Sequence, residues 1–245
     1  MPVFDADRDA VLDRAREAGV GRILVPGVDL PSSRRAVKLA EAHPEVFAAV
    51  GFHPHDADKL GEKELKELRE LAAHPKVKAI GEIGLDYYRD HSPRDVQRAA
   101  FRLQLDLAAE LDLPVIIHNR EAYADVMAAL SEWNGNRGGV LHSYSGDRTQ
   151  MSAALELGFL LGLTGPITFP KADEMRAVAA SAPLDKLLIE TDAPYLTPSP
   201  HRGRRNEPAY VRYVAQKLAD ARGEELQTVI TQTGANAAEL FHWSH

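Results

Sequence analysis

The sequence predicts an α/β fold, a TIM-type (β/α) barrel that is missing or truncated at strand 1. Three observations predict it. The 245 residues suit one such barrel, which typically runs to roughly 250 residues. Short apolar runs alternate with amphipathic stretches along the chain, the rhythm of βα units around a parallel sheet. The pattern also opens on a helix, Arg8–Ala18 with apolar Val11, Leu12 and Ala15, so it starts in the middle of a βα unit.

The seven candidate strands are centred on Arg22–Val25, Phe47–Gly51, Val77–Glu82, Val115–His118, Gly139–His142, Phe159–Leu163 and Lys186–Thr191. One strand ahead of them would make eight, the number that closes this barrel and leaves no parallel edge bare. The helices between them are read over Ser32–Ala42, Glu62–Ala73, Asp95–Leu111, Ala122–Glu132, Arg148–Leu157 and Ala172–Ala180. Ser32 or Ser33 is expected to cap the first of these, Pro44 and Pro75 to follow helix ends, and Pro114 to open a strand. After the last strand, Glu207–Ala221, Leu226–Thr231 and Ala235–Phe241 are expected to complete the helical layer. With no internal repeat, low-complexity tract or linker, residues 1–245 read as a single domain.

Hydrophobic residues make up 44% and charged residues 27% of the chain, enough apolar material for a large core and no basis for disorder. The absence of cysteine excludes disulfides and thiolate metal sites, and fits a reducing cytoplasm. Any metal must therefore be held by His and carboxylates. No run is apolar and long enough to cross a bilayer, and the N-terminus lacks a signal-peptide pattern, so a cytoplasmic protein with no membrane partner is expected. A net charge of −7 argues against a broad basic surface that coats nucleic acid. It leaves room for a polyanionic substrate whose phosphates meet bound metal ions and one basic loop.

In barrels of this kind the active site lies at the carboxyl ends of the strands. His53, Glu82, His118, His142 and Asp192 are expected at such ends. Each alone has an ordinary structural explanation, a backbone-bonded histidine or a helix-capping carboxylate. Converging on one mouth, they are better explained as a metal cluster, with Glu82, His118, His142 and Asp192 as ligands and His53 as a neighbour. His55 is left out of the ligand set, because Pro54 ends the strand and the two rings need not share a face. After the last strand, Arg202, Arg204 and Arg205 sit in a Pro- and Gly-containing loop ahead of a helix expected from Glu207, which reads as a phosphate site in preference to a solvated charge run.

The segments Val-Gly-Phe-His-Pro-His (50–55), Gly-Glu-Ile-Gly-Leu-Asp-Tyr-Tyr (81–88), Pro-Val-Ile-Ile-His-Asn-Arg (114–120), Leu-His-Ser-Tyr-Ser-Gly (141–146), Glu-Thr-Asp-Ala-Pro-Tyr-Leu (190–196) and Arg-Gly-Arg-Arg-Asn-Glu-Pro (202–208) together resemble the TatD-type nucleases of the amidohydrolase-like metal-dependent hydrolases. The resemblance runs from about residue 5 to the end. It implies a divalent-metal-dependent deoxyribonuclease, usually exonucleolytic, that hydrolyses phosphodiester bonds with up to two ions of Mg, Mn or Zn and DNA as its partner. By the same resemblance, Glu82 bridges two metals and His118 and His142 hold one of them. Asp192 holds the other and orients or deprotonates the attacking water. His53 contacts the phosphate or leaving group, and Arg202, Arg204 and Arg205 grip the DNA backbone. A monomer is expected.

The family opens with a strand carrying Asp-x-His-x-His-Leu, and this sequence has no such motif. A start placed too late is the favoured expectation, and a truncated, catalytically impaired homologue is the alternative. A related metal hydrolase acting on a small amide, lactone or phosphoester is the second enzyme reading. The arginine loop and the carboxylate of Glu82, where such enzymes more often carry a bridging lysine, weigh against it. A metal-free scaffold or DNA-binding relic is the reading outside enzymes, and metal content separates it from the others.

Overall fold

The computed structural model describes residues 2–243. All seven strands form, as β1 (Ile23–Pro26), β2 (Val46–Val50), β3 (Val77–Asp86), β4 (Val115–Arg120), β5 (Gly139–Leu141), β6 (Leu160–Leu163) and β7 (Leu187–Ile189). They follow one another in sheet order as they do in sequence. The helices are α1 (Arg8–Glu17), α2 (Leu30–Ala42), α3 (Glu62–Ala72), α4 (Arg94–Glu110), α5 (Tyr123–Ser131), α6 (Arg148–Glu156), α7 (Asp173–Ser181), α8 (Val211–Arg222) and α9 (Leu226–Phe241). Among the described residues no strand precedes α1; Pro2–Phe4 form a single 3-10 turn instead.

The chain divides into two compact units. The first holds Arg22–His142 together with the end of the chain from Leu240. Here β1 to β5 pair parallel, each with the next. Parallel strands covered on both faces need continuous apolar runs, and Val46, Ala48, Ala49 and Val50 of β2 and Val115, Ile116 and Ile117 of β4 are all buried. Phe101, Leu105 and Ala108 of α4 and Leu68 of α3 join them in the core. The second unit holds Ser143–Glu239 with the first residues up to Gly21. There β6 and β7 pair parallel, and Leu161, Leu163 and Leu187 are buried along with Val214, Ala215 and Leu218 of α8.

Four local expectations change. The N-cap of α2 is Asp29, not a serine: its carboxylate accepts from the Ser32 N–H at 2.7 Å and Ser32 Oγ accepts from the Asp29 N–H at 3.0 Å. This reciprocal capping box draws Leu30 and Pro31 into the first turn, where proline's missing N–H costs nothing. β3 does not stop at Glu82 but runs on to Asp86, with its register against β4 shifting between Ile80 and Ile83. Gly84 permits the extension: it has φ of 137°, and a Cβ there would lie 2.0 Å from the His118 carbonyl oxygen. The helix expected from Glu207 starts at Val211, behind a 3-10 turn over Pro208–Tyr210. The two C-terminal segments are one helix, α9. Gly234 does not break it, because an isolated glycine costs a helix only about 1 kcal/mol and Asn236 Nδ2 donates to the Leu184 and Leu187 carbonyls at 2.9 and 2.8 Å.

Candidate metal centre

Three neighbouring parallel strands carry the site. Beyond β2 the chain runs through Gly51 and Phe52 to His53, and Pro54 then opens a 3-10 turn over Pro54–Lys59. His53 Nδ1 accepts the His55 N–H at 3.2 Å, which fixes the ring and leaves Nε2 directed at His118 Nδ1, 3.2 Å away. His118 projects from β4, and its Nδ1 is 2.8 Å from Glu82 Oε1 on β3. His53 Nε2 lies 3.7 Å from the same carboxylate oxygen. These three side chains offer ligand atoms that all lie within 4.8 Å of one another.

Asp86, at the end of β3, holds the arrangement from behind. Its Oδ2 receives His118 Nε2 at 3.1 Å and His55 Nε2 at 2.9 Å. Its Oδ1 accepts the backbone N–H groups of Tyr88 and Arg89 at 3.1 and 2.8 Å. The Asp86 N–H donates in turn to Gln97 Oε1 of α4 at 2.9 Å. A carboxylate behind a ligating imidazole sets its tautomer and raises its basicity, so Asp86 turns the Nδ1 lone pair of His118 toward Glu82 and His53.

The electrostatics suit a cation. Burial penalises the Glu82 anion, yet the His142 field and the His118 hydrogen bond outweigh it and hold the carboxyl below the usual carboxylate range. Asp86 is likewise held low, against its burial, by its bonds from His118, Arg89 and His55. Burial pushes the His53 imidazole down to about 3 despite the Glu82 charge, with His118 and His55 adding to the shift; it is neutral near pH 7. His118 moves the other way. Burial lowers its pKa, but the hydrogen bonds to Asp86 and Glu82 raise it more. One ionised carboxylate and two imidazoles on one side, with an acceptor fixing one ring, is a donor set that fits a divalent ion.

Of the residues expected at the site, His53, Glu82 and His118 come together. His142 follows β5 directly, and its charge acts on Glu82. Glu82 and His118 are not the last residues of their strands, since β3 continues to Asp86 and β4 to Arg120. His55, left out of the ligand set on the sequence, belongs to the cluster: its ring is 4.3 Å from that of His53. The strand stops at Val50, ahead of Pro54, and the 3-10 turn that Pro54 starts folds the second ring back beside the first. Asp86 was missed, although the run Glu82-Ile-Gly-Leu-Asp86 places two acids on alternate positions of one strand. A strand continuing past Gly84 was the signal.

Asp192 and the arginine loop belong to the second unit. Asp192 lies beyond β7 in left-handed backbone, at φ of 57°, and buried Asn206 pins its loop by donating from Nδ2 to the Thr191 and Tyr195 carbonyls at 2.7 and 2.6 Å. Arg205 is engaged within the molecule. Its guanidinium donates to both Asp7 oxygens at 2.8 and 2.6 Å and to the Val3 carbonyl at 2.8 Å. Arg14 holds the next residue but one, donating to Glu207 at 3.0 and 2.7 Å. Arg202 lies 4.1 Å over the Phe169 ring, and Arg204 is exposed.

Parallel strands that bring two imidazoles and a carboxylate to one point, with a carboxylate behind one imidazole, define a metal-dependent hydrolase of the (β/α)-barrel class. Residues 1–242 match the family model described as TatD related DNase. The chain belongs to that family. It is 43% identical over 239 residues to an uncharacterized metal-dependent hydrolase, YabD, of Bacillus subtilis (strain 168), spanning 97% of this chain and 94% of that protein. It is 40% identical to the 3′-5′ ssDNA/RNA exonuclease TatD of Salmonella typhimurium, over 97% of this chain and 94% of the relative. Among solved structures it is similar to YJJV, a TatD homolog from Escherichia coli K12, with a TM-score of 0.95 and 35% identity over 100% of this chain and 95% of that one. A TatD family hydrolase from Entamoeba histolytica gives a TM-score of 0.88 and 26% identity, over 96% and 89% of the two chains.

Proposed function

We propose that the chain is a divalent-metal-dependent exonuclease that hydrolyses phosphodiester bonds of DNA. The observation that carries this reading is the convergence of His53, Glu82 and His118 within 4.8 Å, with Asp86 orienting His118. The family membership and the single-strand exonuclease relatives support the substrate class.

In this reading Glu82, His118 and His142 would hold one ion, and Asp192 would serve a second ion and the attacking water. A bound divalent ion supplies positive charge for the phosphoryl oxygens and lowers the pKa of water. Water oxygen would attack phosphorus as the P–O ester bond breaks, its proton passing to a carboxylate such as Asp192, and the departing ester oxygen would take up a proton from solvent water. Buried and neutral, His53 is placed to contact the phosphate or the leaving oxygen. Arg202 and Arg204 contact the DNA backbone. Arg205, bound to Asp7, contributes by holding the loop that carries them. Ligands of this kind accept Mg, Mn or Zn in different proportions. A monomer in a reducing cytoplasm completes the reading, and the absence of cysteine suits that compartment.

The test is a digestion of end-labelled single-stranded DNA after chelation, with Mg²⁺, Mn²⁺ or Zn²⁺ added back. A ladder shortening from one end is expected only with metal, with Glu82→Gln and His118→Ala slower by on the order of 100-fold. Digestion that persists in chelator, or survives both substitutions, overturns the reading.

A further inference from the structure

We propose that Tyr88, with Arg120 packed on its ring and Arg89 beside it, is a nucleotide subsite that stacks one unpaired base next to the metal centre, and so makes the enzyme select single strands without reading base identity. The inference rests on the nuclease reading above and adds a residue set to it.

Tyr88 is an exposed aromatic at a position where folding gives it no task. The residue is 53% exposed, and among the described residues its hydroxyl meets no hydrogen-bond partner. Its neighbour Tyr87 differs: its hydroxyl bonds Asp125 and accepts from Arg98 at 3.1 Å, and Arg94 lies 4.3 Å over its ring. The Arg120 guanidinium lies 3.9 Å from the Tyr88 ring centroid and that of Arg89 lies 5.6 Å away. Neither arginine has a carboxylate partner among the described residues, whereas Arg34, Arg69, Arg94, Arg102 and Arg137 are all ion-paired. An exposed aromatic beside two guanidinium groups that have no carboxylate partner among the described residues offers area for a base to stack on and charge for the adjoining phosphates.

Its place is set by the site. Arg120 follows His118 by two residues on β4, hence on the same face and about 6–7 Å further along the strand. Tyr88 follows Asp86 by two, and the Tyr88 and Arg89 N–H groups are both held by Asp86 Oδ1. The carboxylate that orients His118 therefore also fixes the backbone of the platform, so the base seat and the metal centre share one anchor. A stacking face has no hydrogen-bond pattern to match, so it accepts any base. It rejects a paired base because the stack is already occupied.

Two measurements on the metal-loaded full chain test it. In the first, single-stranded oligonucleotides carry one abasic residue moved stepwise from the labelled end. The intact enzyme is expected to slow about tenfold or more at one position, and Tyr88→Leu to be slow at every position yet indifferent to the abasic residue; Tyr88→Phe should behave as the intact enzyme does. In the second, 2-aminopurine at that position should be quenched on binding to the intact chain and to Tyr88→Phe but not to Tyr88→Leu, with Arg120→Ala weakening binding and its salt dependence. Cleavage by the intact enzyme with multiplicative Tyr88→Leu and abasic penalties, or equal quenching in all variants, overturns the platform alone. An intact chain that cuts no oligonucleotide at any metal concentration overturns the nuclease reading and the platform with it.

Discussion

At the scale of single residues, Asp86 is the group on which most of the site's geometry converges, since one oxygen receives two imidazoles and the other two backbone N–H groups. Removing a carboxylate behind a metal-binding histidine usually costs 10- to 100-fold in metal affinity. Asp86→Asn is accordingly expected to weaken binding by about that factor, read by calorimetric titration; unchanged affinity would show that His118 is oriented by something else. Protonation supplies a second expectation. Metal needs the neutral His118 ring, whose pKa is raised in the metal-free molecule, so affinity should rise with pH through that raised pKa and binding should release a proton. Comparing binding heats in buffers of different ionisation enthalpy measures the release. His53 acts oppositely on stability. Its pKa falls from 6.5 to about 3 on folding, so the unfolded chain binds more protons in that window and stability drops as pH falls from about 6.5 towards 3. In chelator, urea midpoints should fall with acidity over this range, and less steeply in His53→Gln.

At the scale of elements, the site depends on how closely β3 and β4 approach. With φ of 137° and the His118 carbonyl 2.0 Å from a would-be Cβ, Gly84→Ala is strained in its backbone and clashes as well. It should cost about 2 kcal/mol or more and move Asp86 away from His118, so that denaturant midpoint and metal affinity fall together. Asp29→Ala is the contrast. It removes the cap of α2, worth about 1 kcal/mol, and should lower the midpoint while leaving metal affinity alone. Equal loss of metal binding in both variants would show that the site senses general stability and not the β3–β4 approach. These element-level features also mark where the sequence was legible. Seven apolar runs located seven strands because buried parallel strands have no polar face to disguise them. The ends were less legible: β3 outruns its apolar stretch through Gly84, and the cap of α2 precedes the two serines that resemble one.

For the whole molecule, a metal that binds only the folded chain stabilises it by mass action, by about 2.7 kcal/mol at a hundredfold excess over Kd. For a chain of this length each kcal/mol raises Tm by roughly 2–4 °C, so chelation should lower the melting temperature by several degrees and add-back should restore it. His118→Ala should remove most of that difference. A full metal-dependent shift in that variant would place the ion elsewhere.

The sequence by itself determined the α/β class, the order of strands and helices, and the residue types able to hold a metal, since all of these follow from apolar periodicity and local side-chain chemistry. It also carried the motifs that identify the family, including both Asp86 and Tyr88, without saying what either does. Tertiary structure alone decided which atoms meet. It turned His55 back beside His53, set Asp86 behind His118, bound Arg205 to Asp7 and left Tyr88 exposed with Arg120 on its ring. Those outcomes depend on register, turn geometry and pairing between residues far apart in the chain, and a linear pattern of apolar and polar positions does not encode distances across strands.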